Sequence, residues 1–265
     1  MKAKEMLPGV LHFRDEVGVY CTLLIGERAA LLVDTGYGLE NPWPTLRSAT
    51  SLPVQVILTH GHHDHALGAR WYQEVRMLPQ DAPVFARYTA IAYRERVLRM
   101  EDGKCRPDDK EEYLTAQYAM PKPLRAETIE LGGLQAQAIP CPGHTPGSAV
   151  VYVPQRKLLL TGDNWNPCAW LFFPEALPIR AYRDNLKKLL ALPFERMLCP
   201  HFGEMVPRAA LEGYLSGLTE EAIAAARPVT ISPYEAIDTH ELLLPGGQTL
   251  IFDAAKAATE GALRS

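Results

Sequence analysis

No stretch of the chain approaches 18 consecutive apolar residues, so no helix is expected to span a membrane. The first residues mix Lys2, Lys4, Glu5, Arg14 and Asp15 with isolated apolar side chains, and lack the apolar core of a secretory signal. Positive charge is not in excess. The chain has 27 Lys and Arg against 31 Asp and Glu, a net charge of −4, which argues against gripping a phosphate backbone as its main role. The five cysteines (Cys21, Cys105, Cys141, Cys168 and Cys199) are odd in number and have no CxxC spacing. They read as reduced thiols of a cytoplasmic protein, each a small buried hydrophobe by default. Internal repeats and low-complexity linkers are also missing, so residues 1–265 read most simply as one α/β domain.

What is present suffices for a large core. A chain of 265 residues, 47% apolar, buries most of its surface without disulfides. Short apolar segments predict strands at Gly9–Phe13, Val19–Ile25, Ala29–Val33 and Val54–Thr59, the last buried on both faces. A helix is expected over Ala66–Glu74. Between Val84 and Pro121 the pattern changes. Ala86, Ala90, Tyr93, Val97 and Met100 recur at helical spacing, and Asp108–Met120 predicts a second, charged helix. This helical insertion, 84–121, is expected to be a lid or pocket wall. Strands return at Thr128–Leu131, Leu134–Ile139, Ala149–Val153, Leu158–Leu160 and Arg196–Cys199. Helices are expected at Ala181–Leu192 and Pro207–Ala226, and a hairpin of Leu242–Leu244 with Thr249–Phe252.

The chemistry concentrates where strands end. His60 and His62 are two apart, and alternate residues of an extended segment point the same way. Asp64 and His65 follow at once. His144, Asp163 and His201 come later, each beside a predicted strand. His12 and His240 read as hydrogen-bonded structural histidines. His63 is expected to point away from the cluster. Cys141 and Cys199 read as packing. Trp165, Trp170, Phe172 and Phe173 follow Asp163 and suit either a pocket wall or the core; Asn164 and Asn166 suit either substrate contact or a turn.

These residues resemble the metallo-β-lactamase-fold hydrolases. The HxHxDH pattern is matched by His60, His62, Asp64 and His65, and the later single ligands by His144, Asp163 and His201 in order. Asp34, at the end of an early strand, matches a further position and is expected to orient a ligand from behind. The resemblance runs from about residue 9 to about 206. It implies a four-layer αββα sandwich with the site at one edge. It also implies two divalent metal ions, zinc first with iron or manganese as alternatives. One would take His60, His62 and His144, the other Asp64, His65 and His201, with Asp163 bridging. The implied reaction is attack by a metal-bridging hydroxide, with Asp64 holding the nucleophile and shuttling a proton.

The motifs look most similar to the glyoxalase II-like branch, which hydrolyses thioesters, and to the lactonases. Asp163 and the missing signal sequence disfavour the antibiotic-hydrolysing members. No basic exosite, nuclease domain or flavodoxin domain is visible, and no basic glutathione-binding cluster is identified near the C-terminus. The expectation is a cytoplasmic dinuclear metal-dependent hydrolase of a small ester, thioester or lactone. A phosphodiesterase, or a non-hydrolytic metal-binding or redox module, is the alternative. The expected partner is a small molecule, with no nucleic acid and no membrane; a homo-oligomer stays open.

Overall fold

Alternate residues of the N-terminal strands face two different cores. In the computed structural model, which describes residues 1–100 and 106–257, Leu24, Leu31, Val33 and Ile57 pack into one cluster. Their chain neighbours Leu23, Ala30, Leu32 and Val56 pack into another. This period of two is what a strand buried on both faces must show. The strands belong to a seven-stranded sheet: Lys2–Leu7, Val10–Arg14, Tyr20–Ile25, Ala30–Val33, Val54–Ile57, Arg76–Met77 and Lys122–Pro123, in that spatial order. A six-stranded sheet alternates in the same way. Ala149, Val151 and Val153 point into the cluster shared with the first sheet, while Val150 and Tyr152 point outward. The shared cluster lies between the two sheets.

Helices cover both outer faces. Leu46, Ala66 and Phe85 pack on the first sheet. The second sheet carries Tyr182, Leu186 and Leu189 of the Ile179–Leu189 helix, with Leu211, Tyr214 and Leu215 of the Arg208–Gly217 helix. The layering is therefore α, β, β, α. A third sheet adds to what the sequence predicts. Cys168–Leu171 pairs in parallel with Gln248–Asp253, which also forms the expected hairpin with Thr239–Leu244. Among the described residues no helix is long and apolar enough to cross a membrane.

Other expectations change. The Ala66–Glu74 helix is replaced by a short helix, His63–Ala66, and a 3₁₀ turn, Leu67–Trp71. Lys2–Leu7 is a strand despite its exposed, charged face, because it sits at the sheet's edge. The Pro207–Ala226 helix divides after Gly217. A Cβ there would come within 2.4 Å of Pro245 Cδ, and Thr219 caps a new helix, Glu220–Ala224, by accepting from Ala222 N–H. The insertion holds helices at Ala82–Thr89, Ile91–Met100 and Lys110–Thr115, so the second expected helix is shorter than Asp108–Met120. The expected connection at Glu101–Pro107 lies outside the described residues as far as residue 105, and Cys105 with it.

Candidate metal centre

Each candidate ligand lies just past the carboxyl end of a strand, at one edge of the sandwich. Asp34 follows Ala30–Val33, and His60–His65 follow Val54–Ile57. His144, Asp163 and His201 follow Gln135–Pro140, Leu158–Leu160 and Arg196–Cys199. Open α/β sheets bind ligands at such ends. There the ring nitrogens of His60, His62 and His144 lie within 4.8 Å of one another. Nδ1 of His62 is 2.9 Å from Nε2 of His144. A second group, also within 4.8 Å, joins Asp64, His65, Asp163 and His201.

Asp163 sits between the groups. Its Oδ2 lies 3.0 Å from His201 Nε2 and 3.7 Å from His144 Nε2, and its Oδ1 lies 3.4 Å from His65 Nε2. Nε2 of His60, Nε2 of His65 and Oδ1 of Asp163 are buried with no hydrogen-bond partner. Orphaned buried atoms are costly, and these three, one in the first group and two in the second, sit where cations would satisfy them. Imidazole and carboxylate donors fit a divalent metal.

The two groups differ electrically. Burial pushes the His60 pKa well below its usual value and that of His144 down to about 4, so both rings are neutral donors. Burial also opposes charge on His65, but Asp163, Asp64 and Asp34 outweigh it and hold its pKa well above normal. His201 is raised in the same way against burial, chiefly by Asp163. Burial resists ionisation of Asp64 and Asp163, yet the neighbouring histidines hold both well below the usual carboxylate range.

The ligand rings are held from behind. Nδ1 of His144 donates to the Trp170 carbonyl at 2.7 Å, and Nδ1 of His60 lies 3.1 Å from Thr59 Oγ1. Asp34 accepts from His65 Nδ1 at 3.0 Å and from Thr59 N–H at 2.7 Å. It does so at φ 64°, a left-handed conformation that Asp tolerates better than most residues.

Two buried acids have no signal in the sequence. Asp81 joins two ligand-bearing loops, accepting from Gly61 N–H at 2.8 Å, Gly147 N–H at 2.6 Å and Thr145 Oγ1 at 2.8 Å. Gly147 lets the chain come this close, since a Cβ there would lie 2.5 Å from Asp81 N. Glu175 accepts from His62 Nε2 at 2.7 Å and from Arg87 Nη1 at 3.0 Å. Burial opposes its charge, but the bonds from His62 and Tyr88 hold it down to about 2.

The centre forms the floor of a cavity of about 510 Å³. Trp170, Phe173, Tyr234, Phe202, Val19 and Pro167 are prominent in its walls. Trp165 belongs instead to the core, its Nε1 donating to Gln248 at 3.0 Å, while Phe172 is buried behind the wall. Asn166 lines the cavity and also accepts from Cys168 N–H, in a turn; Asn164 is buried outside the lining. Cys21, Cys141 and Cys199 are buried, but Cys168 is exposed and lines the cavity, against expectation. So does His63, whose ring belongs to neither donor group and packs beside Tyr37, Tyr88 and Tyr93. His12 stacks on Tyr20 and bonds Thr22; His240 packs near Phe252. Among the described lining residues none comes from 84–121, although Arg96 of the insertion packs on the lining residue Tyr234. None is Lys or Arg either.

Comparison with known proteins matches residues 14–201 to the family model of the metallo-beta-lactamase superfamily. Acyl-coenzyme A thioesterase MBLAC2 of Gallus gallus is 28% identical over 159 residues, 53% of this chain and 55% of that protein. The probable metallo-hydrolase YybB of Bacillus subtilis is 31% identical over 121 residues, 44% and 49% of the two chains. Hydroxyacylglutathione hydrolase of Cereibacter sphaeroides is 29% identical over 147 residues, 55% and 46%. The match thus spans about half the length of each relative. A solved metallo-beta-lactamase family protein from Thermus thermophilus superposes with a TM-score of 0.59 at 21% identity, covering 83% of this chain and 82% of that one. A sec-alkylsulfatase from Pseudomonas gives 0.64 at 18%, covering 84% and 43%.

Proposed function

As this chain belongs to the metallo-beta-lactamase superfamily, we propose that it is a dinuclear metal-dependent hydrolase of a small carboxylic thioester, ester or lactone bearing an uncharged, apolar group. The observation that carries this is the convergence of seven ligand-type side chains on the floor of an aromatic cavity. His60, His62 and His144 would hold one ion, and Asp64, His65 and His201 the other, with Asp163 between them. Zinc suits these donors first, iron or manganese next. A divalent pair supplies Lewis-acid polarisation of a carbonyl and acidification of a water.

The chain's own residues do the rest. Asp64 Oδ2 lies 3.5 Å from His65 Nε2 and 3.4 Å from His201 Nε2, on the floor of the cavity. It is placed to take a proton from the attacking water and to return it to the departing thiolate or alkoxide. Trp170, Phe173 and Tyr234 exclude water and seat the apolar group. The relative named as an acyl-coenzyme A thioesterase favours a thioester. The absence of Lys and Arg from the described lining disfavours the anionic glutathione moiety, and a phosphodiester for the same reason.

The test is a panel of acyl thioesters, acyl esters, lactones, a hydroxyacylglutathione and a phosphodiester. It is run on chelated protein and again after reloading with Zn²⁺, Mn²⁺ or Fe²⁺. Turnover should require metal, and kcat/KM should be at least about 10-fold higher for neutral apolar acyl thioesters than for the glutathione thioester, about 1.4 kcal/mol of discrimination. No metal-dependent turnover on any member would sink the hydrolase reading in favour of a metal-binding module.

A further inference from the structure

An imidazole offers metal only one nitrogen at a time, and the hydrogen bond made by the other decides which. His62 is settled in this way from outside the ligand set. Its Nε2 is 2.7 Å from Glu175 Oε1. That carboxylate, 6% exposed, accepts only, so a proton sits on Nε2, and Nδ1, 2.9 Å from His144 Nε2, is the nitrogen left to offer metal. Glu175 is itself tied down. Arg87 Nη1 donates to its Oε2 at 3.0 Å, and the Tyr88 hydroxyl also hydrogen-bonds it. Arg87 and Tyr88 are neighbours on the Ala82–Thr89 helix. The Tyr88 ring also packs 4.6 Å from the His62 ring.

We propose that Glu175 is the positioning residue that presents Nδ1 of His62 to the first metal ion, and that the helical insertion serves the metal centre by holding Glu175. The proposal rests on the reading that His60, His62 and His144 bind a metal. It gives the insertion a role its absence from the cavity lining leaves open. From Arg87 and Tyr88 to Glu175 to His62, two successive hydrogen bonds join a helix that touches no substrate space to a metal ligand.

The test is metal affinity of chelated protein, titrated with Zn²⁺ against a chromophoric chelator and with Co²⁺ followed by its visible bands. The His201→Ala variant marks which step belongs to the second group. Glu175→Ala should weaken the first-group ion by about 10–100-fold and leave the second step in place. Glu175→Gln keeps an acceptor oxygen and should recover part of the loss. Arg87→Ala changes a half-exposed side chain that does not touch His62, and should weaken the same step several-fold. Nitrogen chemical shifts of the Zn²⁺-loaded parent should show His62 carrying its proton on Nε2. Parental affinity in a folded Glu175→Ala protein would overturn the proposal. Unchanged affinity in both Arg87→Ala and Tyr88→Phe would overturn the insertion's part. Should Glu175→Ala not fold, Glu175→Gln and Arg87→Ala with parental affinity would overturn it equally. A parent that binds no metal would instead overturn the hydrolase reading beneath.

Discussion

Asp163 is the carboxylate that approaches both groups of donors, so its charge and its reach are separable in one substitution. Asp163→Asn keeps the size and removes one anionic oxygen. The expected protein is folded, loses the weaker second ion on dialysis, and shows kcat lower by about 10²-fold or more. Elemental analysis beside steady-state kinetics checks this; two tightly held ions and parental kcat would remove Asp163 from the centre. Trp170 serves a different end. Trp170→Ala should leave metal content alone and raise KM for long apolar acyl groups more than for acetyl, read from kinetics across a chain-length series. Side chains around the centre are unequally legible in the sequence. The clustering of His60, His62, Asp64 and His65 can be read because two histidines at alternate positions of a strand end, followed at once by an acid and a third histidine, rarely serve packing alone. Glu175 cannot, since it stands 113 positions from His62 with nothing around it to mark the pairing. Nor can the setting of His63, because a variable motif position says nothing about the three tyrosines that surround its ring.

Among elements, the loops carrying His60–His65 and His144 owe their juxtaposition to Asp81, an acid on the 3₁₀ turn before the Ala82–Thr89 helix. Asp81→Ala would leave two backbone N–H groups and the Thr145 hydroxyl without their acceptor. At about 1–3 kcal/mol for each buried group stranded, the expected loss of stability is at least about 2 kcal/mol. Chemical denaturation of the metal-free protein measures it, and a parental midpoint would show that the loops hold without this residue. Strands are legible wherever apolar residues run continuously, as at Leu158–Leu160 and Ala149–Val153. Cys168–Leu171 is not, because its partner, Gln248–Asp253, lies some 80 residues away and its four residues carry no alternation of their own. Helix lengths depart from the periodicity where packing intervenes, as when Pro245 closes on Gly217.

At the scale of the whole molecule, the metal-free protein should be acid-sensitive well above the carboxylate range. Burial holds His12, His63 and His144 each near 4, against about 6.5 when unfolded. The unfolded chain therefore binds more protons between those values, and stability that is complete above pH 6.5 drains away as pH falls toward 4. His65 and His201, raised in the folded state, contribute fully below 6.5 and add no slope in that window. Asp64, Asp163 and Glu175 are lowered, so their share is lost only below about 4. Asp15 and Asp81, raised by burial, offset part of the fall. Between pH 6.5 and 4.5 the Tm in chelator should drop by about 5–10 °C; a Tm unchanged in calorimetry would show that these rings are not neutral inside. The match to the family ends at residue 201, yet Ser232, Pro233 and Tyr234 shape the cavity from the loop between Arg227–Pro228 and Thr239–Leu244, two strands of the third sheet. A ribosome reading this chain therefore finishes every donor before it makes the last stretch of wall. The proposed ions would draw only on donors made before that wall, and later sequence could be rewritten to suit another substrate without disturbing them.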